Sequence, residues 1–271
     1  MIQPDDQLLD VIIKLSRQAG ERILEIYETD YAIEHKDDET PLTEADMAAH
    51  HLIDDGLQVL TPEIPILSEE SAKIPYAERQ QWSCYWLVDP LDGTREFIKR
   101  NGEFTVNIAL IQDGEPVLGV VYAPVLKVSY YARRGAGAFR MEDGQSASPI
   151  QTRRPCGSPV MVAGSRSHRG DSLNAYLERL ADYEIVSMGS SLKSCMVAEG
   201  KADIYPRLGP TSEWDTAAAQ CVVEEAGGRL TDTNMQTLRY NTKDSLLNPY
   251  FFVFGDVDRD WSVYLADESA D

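Results

Sequence analysis

The run YWLVDPLDGTREFIKRNGEFTVNIALIQDGEPVLGVVYAP, Tyr85 to Pro124, decides how this chain folds. Its second half holds two β-rich segments joined across Asp113-Gly114, a dipeptide suited to a tight hairpin turn. The next stretch, KVSYYARRGAGAF, adds a further β-rich segment, and together they predict an antiparallel meander. The first half drives an apolar segment, YWLV, directly into Asp89, Pro90, Asp92 and Gly93. Fully extended, the two aspartates would stand roughly 10 Å apart. A turn on Pro90 closed by Gly93 brings their backbones within about 7 Å, and Pro90 keeps Asp89 extended so that its carboxylate projects from the strand end. Two carboxylates about 4 Å apart repel by roughly 4 kcal/mol at an effective dielectric of 20. Such a pair calls for a cation.

Upstream of that run, LLDVIIKLSRQAGERILEIYE spaces Leu8, Ile12, Leu15, Ala19, Ile23 and Ile26 about one helical turn apart, which predicts an amphipathic helix. A second helix is expected over TEADMAAHHLIDDGLQVL, with Thr43 as its cap and Asp46 in the first turn as the reciprocal half of a capping box. IPILSEES reads as a short buried strand ending in Glu69 and Glu70, of which Glu70 is read as solvated. Downstream, beyond EDGQSASPIQTRRPCGSP, short strands alternate with helices: VMVAG, SLNAYLERLA, EIVSM, LKSCMVAEG, ADIYP and TAAAQCVVEEAGG. Alternation of this kind predicts an α/β unit on a mainly parallel sheet. Two domains are expected, an antiparallel α+β unit over 1–150 carrying most of the metal ligands and an α/β unit over 151–271 carrying Asp215 and the substrate contacts. RPCGSP is assigned no role.

The 271 residues can bury a core without staples. Four cysteines, Cys84, Cys156, Cys195 and Cys221, lack C-x-x-C spacing, so they read as reduced core filler and neither a zinc site nor a disulfide framework. No apolar run reaches the roughly 18 residues of a membrane span, and the acidic start MIQPDDQLLD is unlike a signal peptide. A cytoplasmic protein is expected, or one peripheral on the cytoplasmic face of the inner membrane. The formal charge of −20 disfavours polynucleotide partners.

Further acids could complete a cation site: Glu69 at a strand end, Asp215 at a helix start in SEWDTAAA, and Asp46. Oxygen donors without His or Cys suit Mg²⁺ or Mn²⁺ better than zinc or copper. Asp46 and Asp215 also read as helix caps. Gly93 and Thr94 lead towards a short helix whose amides could hold an anion such as phosphate. The residues alone thus point to metal-assisted phosphoryl hydrolysis.

LSEES, WLVDPLDGT and EWDTAAA, in that order, resemble the inositol monophosphatase superfamily of lithium-sensitive, Mg²⁺-dependent phosphatases. The resemblance implies a layered α-β-α-β-α sandwich. It also implies that Glu69, Asp89, the Leu91 carbonyl, Asp92 and Asp215 bind two or three Mg²⁺ ions, with Mn²⁺ as a substitute. Glu69 and Thr94 would orient the attacking water and Asp46 would support Thr94. Gly93, Thr94 and Asp215 would touch substrate. GSSLKSCMVAEGKADIYPRLGPTSEWDTAAA, with LNPYFFVFGD, looks most like the CysQ-type 3'(2'),5'-bisphosphate nucleotidase branch, which turns 3'-phosphoadenosine 5'-phosphate into AMP and phosphate in sulfur metabolism. By that likeness Ser190, Lys193 and Arg207 would hold the non-reacting phosphate and sugar, and His168 would lie beside the adenosine. An arginine at position 207, where inositol monophosphatases carry a glutamate, prefers a second phosphate.

Other readings remain open. The substrate could be an inositol phosphate or fructose 1,6-bisphosphate, or the chain could be a non-catalytic metal- or nucleotide-binding regulator. Lys193 could be a surface lysine, Arg207 a partner of Glu213, and Arg95 and Lys99 either anion-steering groups or surface salt bridges. Trp214 is expected to pack and position Asp215. Glu213 would put an extra negative charge beside a metal ligand. A nucleotide bisphosphate is the expected partner, with the chain a monomer or a homodimer.

Overall fold

The computed structural model describes residues 4–29, 41–164 and 170–266, with side chains of 41 and 42 left aside. Helix α1 (Asp6–Tyr27) starts at Asp5, whose carboxylate accepts from the Leu8 amide at 2.8 Å. It buries Leu9, Ile12, Ile13, Leu15, Ala19 and Ile23, while Leu8 and Ile26 lie at the edges of that face. Helix α2 (Pro41–Leu60) begins two residues before the expected Thr43 cap. Pro41 takes the first helical position, where its missing N–H is not needed and its fixed φ suits the helix. Thr43 is therefore inside the helix and Asp46 lies in the second turn.

Strand β1 (Ile66–Ser68), a 3₁₀ turn (Glu69–Ser71) and helix α3 (Tyr76–Arg79) lead into β2 (Cys84–Asp92), helix α4 (Thr94–Ile98), β3 (Thr105–Gln112), β4 (Glu115–Ala123), β5 (Val128–Arg133), β6 (Ala138–Glu142) and β7 (Ser148–Ile150). These strands form one sheet in sequence order, antiparallel from β2 onward with β1 parallel to β2. Asp113 and Gly114, at φ 49° and 78°, make the tight turn between β3 and β4.

Side chains alternate across this sheet. Trp86, Val88, Ile108, Leu110, Val120 and Tyr122 face α1 and α2; Tyr85, Leu87, Ala109, Ile111 and Val121 face the middle of the molecule. That middle layer holds α6 (Leu192–Ala198) and α7 (Ala217–Glu225). The alanines of α7 allow a very close approach to β4: a Cβ on Gly119 would stand 2.3 Å from the Ala218 carbonyl oxygen. A side chain at position 119 would push the helix off the sheet.

The second sheet comprises β8 (Val160–Gly164), β9 (Tyr183–Ser187), β10 (Ile204–Arg207), β11 (Arg229–Asp232) and β12 (Phe251–Phe254), in the order β11-β12-β10-β8-β9. It is mixed, where the alternation of strands and helices predicts a mainly parallel sheet: β8 runs parallel to β9 and β10, and β12 antiparallel to β10 and β11. After β10 the chain leaves for α7, which packs on the first sheet, and it returns as an antiparallel pair whose second strand inserts beside β10. Helix α5 (Asp171–Leu180) covers the outer face through Tyr176, Leu177 and Leu180. The layers are thus α-β-α-β-α, as the family resemblance implied. All four cysteines are free. Among the described residues no helix is long and apolar enough to cross a membrane.

Candidate metal centre and anion cleft

The two sheets bring their functional ends together at one cleft of about 380 Å³, lined among others by Asp92, Thr94, Arg95, Lys99, Ser190, Lys193, Tyr205, Arg207 and Asp215. Its acidic end is made by a bulge in β2. Asp89 pairs with Asn107 and Asp92 with Thr105, so β2 carries one more residue than β3 over the same span. The extra residue turns both carboxylates into one space. Leu91, fully buried on the bulge, donates its amide to Asp89 Oδ1 at 3.1 Å. Gly93 follows at φ 100°, with room for no Cβ: one would lie 3.2 Å from Phe104 Cα and from Ser190 Cβ.

Asp92 is held through one of its two oxygens. Its Oδ2 accepts from the Ser191 amide at 2.7 Å, the Ser191 hydroxyl at 2.8 Å and the Ser190 hydroxyl. Thr105 Oγ1 and Asn107 Nδ2 approach the same oxygen at 3.4 and 3.5 Å. Asp215 arrives from the other sheet on a 3₁₀ turn, Glu213–Asp215. Its carboxylate accepts from the Ser212 amide at 2.9 Å, so it caps this turn, and α7 starts only at Ala217. The N-cap reading of Asp215 for the alanine-rich helix is therefore replaced by a capping box with Ser212. Ligand atoms of Asp89, Asp92 and Asp215 all lie within 4.8 Å of one another.

Glu69 and Asp46 flank this group. Burial, then Glu70 and Asp92, raise the Glu69 carboxyl, while hydrogen bonds with Asp89 and Trp214 lower it again in part. Trp214 packs on the central core and its indole lowers the Glu69 carboxyl, so it neighbours that acid as well as packing. Asp46 is pushed up to about 8 by burial, Glu70 and Glu69. Its Oδ1 is buried without a hydrogen-bond partner. No hydrogen bond joins Asp46 to Thr94 among the described residues: in the second turn of α2 Asp46 faces Glu70. Glu70, though exposed, is therefore part of the acidic surroundings and more than a solvated neighbour. Asp89 is raised well above its ordinary value, first by burial and then by Asp92, Glu69, Asp215 and Asp46. Asp215 is pushed up to about 7 by burial and Asp92. Oxygen-only donors this close, with Asp89 and Asp215 penalised in their charged forms, fit a hard divalent cation.

The opposite end is basic. Lys193 belongs to the first turn of α6 yet is only 8 % exposed, so the surface-lysine reading does not hold. Its ammonium donates to the Ser190 carbonyl at 2.7 Å and lies 5.3 Å from the Tyr205 ring centre. Burial pushes it down to about 8, with Asp92 opposing and Arg207 reinforcing the shift. Arg207, at the end of β10, donates to the Pro210 carbonyl at 2.9 Å and keeps its buried Nε unpartnered. It makes no ion pair among the described residues. Glu213, read as its partner, points elsewhere: its carboxylate accepts from the Asn241 amide at 2.8 Å and feels Arg79 and Lys243. Burial pushes Glu213 up to about 7. It adds no charge to the cleft, because its neighbours lie on the far side of the turn.

Thr94 is exposed at the start of α4, and Arg95 and Lys99 line the cleft beside it. Ser190 lines the cleft too, but its hydroxyl is engaged with Asp92 and, at 2.6 Å, with Thr105. His168 lies outside the described residues. Ser191, Thr105 and Asn107 were missed by sequence reading, although TVN carries a signal: two polar residues two apart share one face of an apolar strand, and both are buried.

A sequence model of the inositol monophosphatase family matches residues 5–254. The chain is 52% identical over 248 residues, 91% of its length and 99% of the relative's, to the 3'(2'),5'-bisphosphate nucleotidase CysQ of Salmonella typhimurium strain LT2. It is 50% identical over 248 residues, again 91% of its length and 99% of the relative's, to the protein of that name from Escherichia coli K12. Among solved structures it is similar to CysQ from Bacteroides thetaiotaomicron, with a TM-score of 0.83 and 41% identity over 92% of this chain and 97% of that one. The Thermotoga maritima inositol monophosphatase gives a TM-score of 0.74 at 27% identity, over 95% and 96% of the two chains. With the layered fold, the bulged D-P-L-D-G-T element and the W-D turn facing each other across one cleft, the chain belongs to the inositol monophosphatase family.

Proposed function

We propose that the chain is a metal-dependent phosphatase that hydrolyses 3'(2'),5'-bisphosphate nucleotides, releasing AMP and phosphate from 3'-phosphoadenosine 5'-phosphate. One observation carries this reading: a single cleft has clustered carboxylates at one end and, at the other, the buried Lys193 and the partly exposed Arg207. A substrate with one phosphate satisfies only the first end. A nucleotide with two phosphates satisfies both, and the relatives named as bisphosphate nucleotidases fit that choice.

Glu69, Asp89, the Leu91 carbonyl, Asp92 and Asp215 would hold two or three Mg²⁺ ions, with Mn²⁺ as a substitute. Divalent cations, when bound there, supply Lewis-acid charge neutralisation at the phosphoryl group. The chain's own contribution is orientation. Glu69 and the Thr94 hydroxyl would align a water with the phosphorus, opposite the ribose oxygen whose bond to phosphorus breaks. The amides of Gly93 and Thr94 would steady the transferred phosphate. Lys193 and Arg207 would grip the other phosphate, the guanidinium through two parallel bonds and the ammonium as a point charge.

Phosphate release from 3'-phosphoadenosine 5'-phosphate, inositol 1-phosphate and fructose 1,6-bisphosphate, measured side by side with Mg²⁺, tests the reading. The bisphosphate nucleotide should have the highest kcat/KM. A preference for either sugar phosphate would move the assignment within the family, and release from none of the three would point to a non-catalytic binder.

A further inference from the structure

Away from the cleft, a network of buried polar groups ties α3, the element that follows the Glu69–Ser71 turn, to the turn that carries Asp215. Arg79, on α3 just after the Glu69–Ser71 turn, is 1 % exposed. Its guanidinium donates to Asn241 Oδ1 at 2.6 Å, to the Lys243 carbonyl at 3.1 Å and to the Asp244 carbonyl. Asn241 answers with its own amide to the Arg79 carbonyl at 2.5 Å. Its backbone N–H donates to the Glu213 carboxylate at 2.8 Å. Asn241 does this at φ 56°, a left-handed conformation that asparagine tolerates better than most side chains.

The loop anchored by Arg79 then grips the Asp215 segment along its length. The Glu213 amide donates to the Leu246 carbonyl at 2.9 Å, and Asn248 donates to the Thr211 and Ser212 carbonyls at 2.9 and 2.7 Å. On the cleft side, the same short turn sends Trp214 to Glu69 and Asp215 to the aspartate cluster. Glu213 is 2 % exposed and faces away from the cluster, so its carboxylate serves the loop and not the cleft.

We infer that Arg79 and Glu213, joined through Asn241, are positioning residues that set the spacing between Glu69 and Asp215 and so the affinity of the centre for divalent cations. The inference rests on the proposed metal-binding role of those acids. Groups that orient metal ligands from behind are worth about 10- to 100-fold in metal affinity. A general packing role would lower the melting temperature and leave that affinity alone.

Calorimetric titration of the full chain with Mg²⁺, well below the melting temperature of each variant, tests it. Glu213→Ala should weaken Mg²⁺ binding by about 10- to 100-fold, and Arg79→Met should do the same where it folds. Glu213→Gln, which keeps an oxygen acceptor for the Asn241 amide while losing the charge, should bind close to wild type. A folded Glu213→Ala that binds Mg²⁺ like wild type overturns the inference. So does a Glu213→Gln as weak as Glu213→Ala, which would make the effect one of charge and not of position. A wild-type chain that takes up no Mg²⁺ would instead overturn the metal-binding reading on which the inference stands.

Discussion

The two ends of the cleft are built in opposite ways. At the acidic end the aspartates are braced: Asp92 takes hydrogen bonds from Ser190 and Ser191, Asp89 from the Leu91 amide and Asp215 from the Ser212 amide. At the basic end Lys193 donates to one carbonyl, and Arg207 to another with its Nε unpartnered. The acids repel one another and must be forced together before a cation arrives. On the proposed reading, the ammonium of Lys193 and the outer nitrogens of Arg207 have donors left for a ligand's phosphate. On that reading, rigidity belongs to the end that would set reaction geometry and spare hydrogen-bonding capacity to the end that would select substrate.

Four experiments break or sharpen that contrast. Asp92→Asn should have the largest effect, because it removes a charge from the cluster while keeping the side chain's shape. A loss of about 4 kcal/mol of charge stabilisation corresponds to roughly a thousandfold in kcat, and the rise in Tm on adding Mg²⁺ should shrink with it. Lys193→Ala or Arg207→Ala should come next, at about 1.5 to 3 kcal/mol per lost charged hydrogen bond. That loss should appear in kcat/KM for 3'-phosphoadenosine 5'-phosphate and be nearly absent for 3'-AMP; equal losses on both would erase the distinction between the two ends. Ser191→Ala removes one of several donors to Asp92 and leaves the backbone amide in place, so Mg²⁺ affinity should fall only about tenfold, measured by calorimetry.

The smallest effect concerns pH. Burial pushes the Lys193 ammonium down from its ordinary 10.5 to about 8. Below that pH the ammonium is present; as pH rises through it the cation, and its hold on a second phosphate, is lost. Since kcat/KM reports the free enzyme, its value for the bisphosphate should be halved near pH 8 and decline further above it. Lys193→Arg should flatten that limb of the profile, because a guanidinium stays charged throughout.

Much of this was legible in the chain itself. Turn chemistry at Asp113-Gly114 gave the hairpin, and Pro90 and Gly93 gave the convergence of Asp89 and Asp92, because φ preferences act locally. Errors arose where tertiary contacts decide. Thr43 looked like a cap until Pro41 took the first helical position, and Asp215 looked like an N-cap until Ser212 claimed its carboxylate. The antiparallel return of Phe251–Phe254 depends on α7 packing against the other sheet, which no local pattern records. Glu213 sits beside a metal-ligand candidate in sequence yet points away from it in space, because Asn241, 28 residues on, supplies its partner. Lys193 left two readings open in sequence, a surface lysine or a phosphate contact; it is buried, with its ammonium over the Tyr205 ring from β10.

A crystal structure with Mg²⁺ and AMP bound tests the two-ended cleft most directly. The 5'-phosphate should lie within hydrogen-bond distance of Lys193 Nζ and the Arg207 guanidinium, with the ribose hydroxyls turned towards Asp92 and Asp215. A 5'-phosphate seated on the carboxylate end, or facing neither Lys193 nor Arg207, would contradict it.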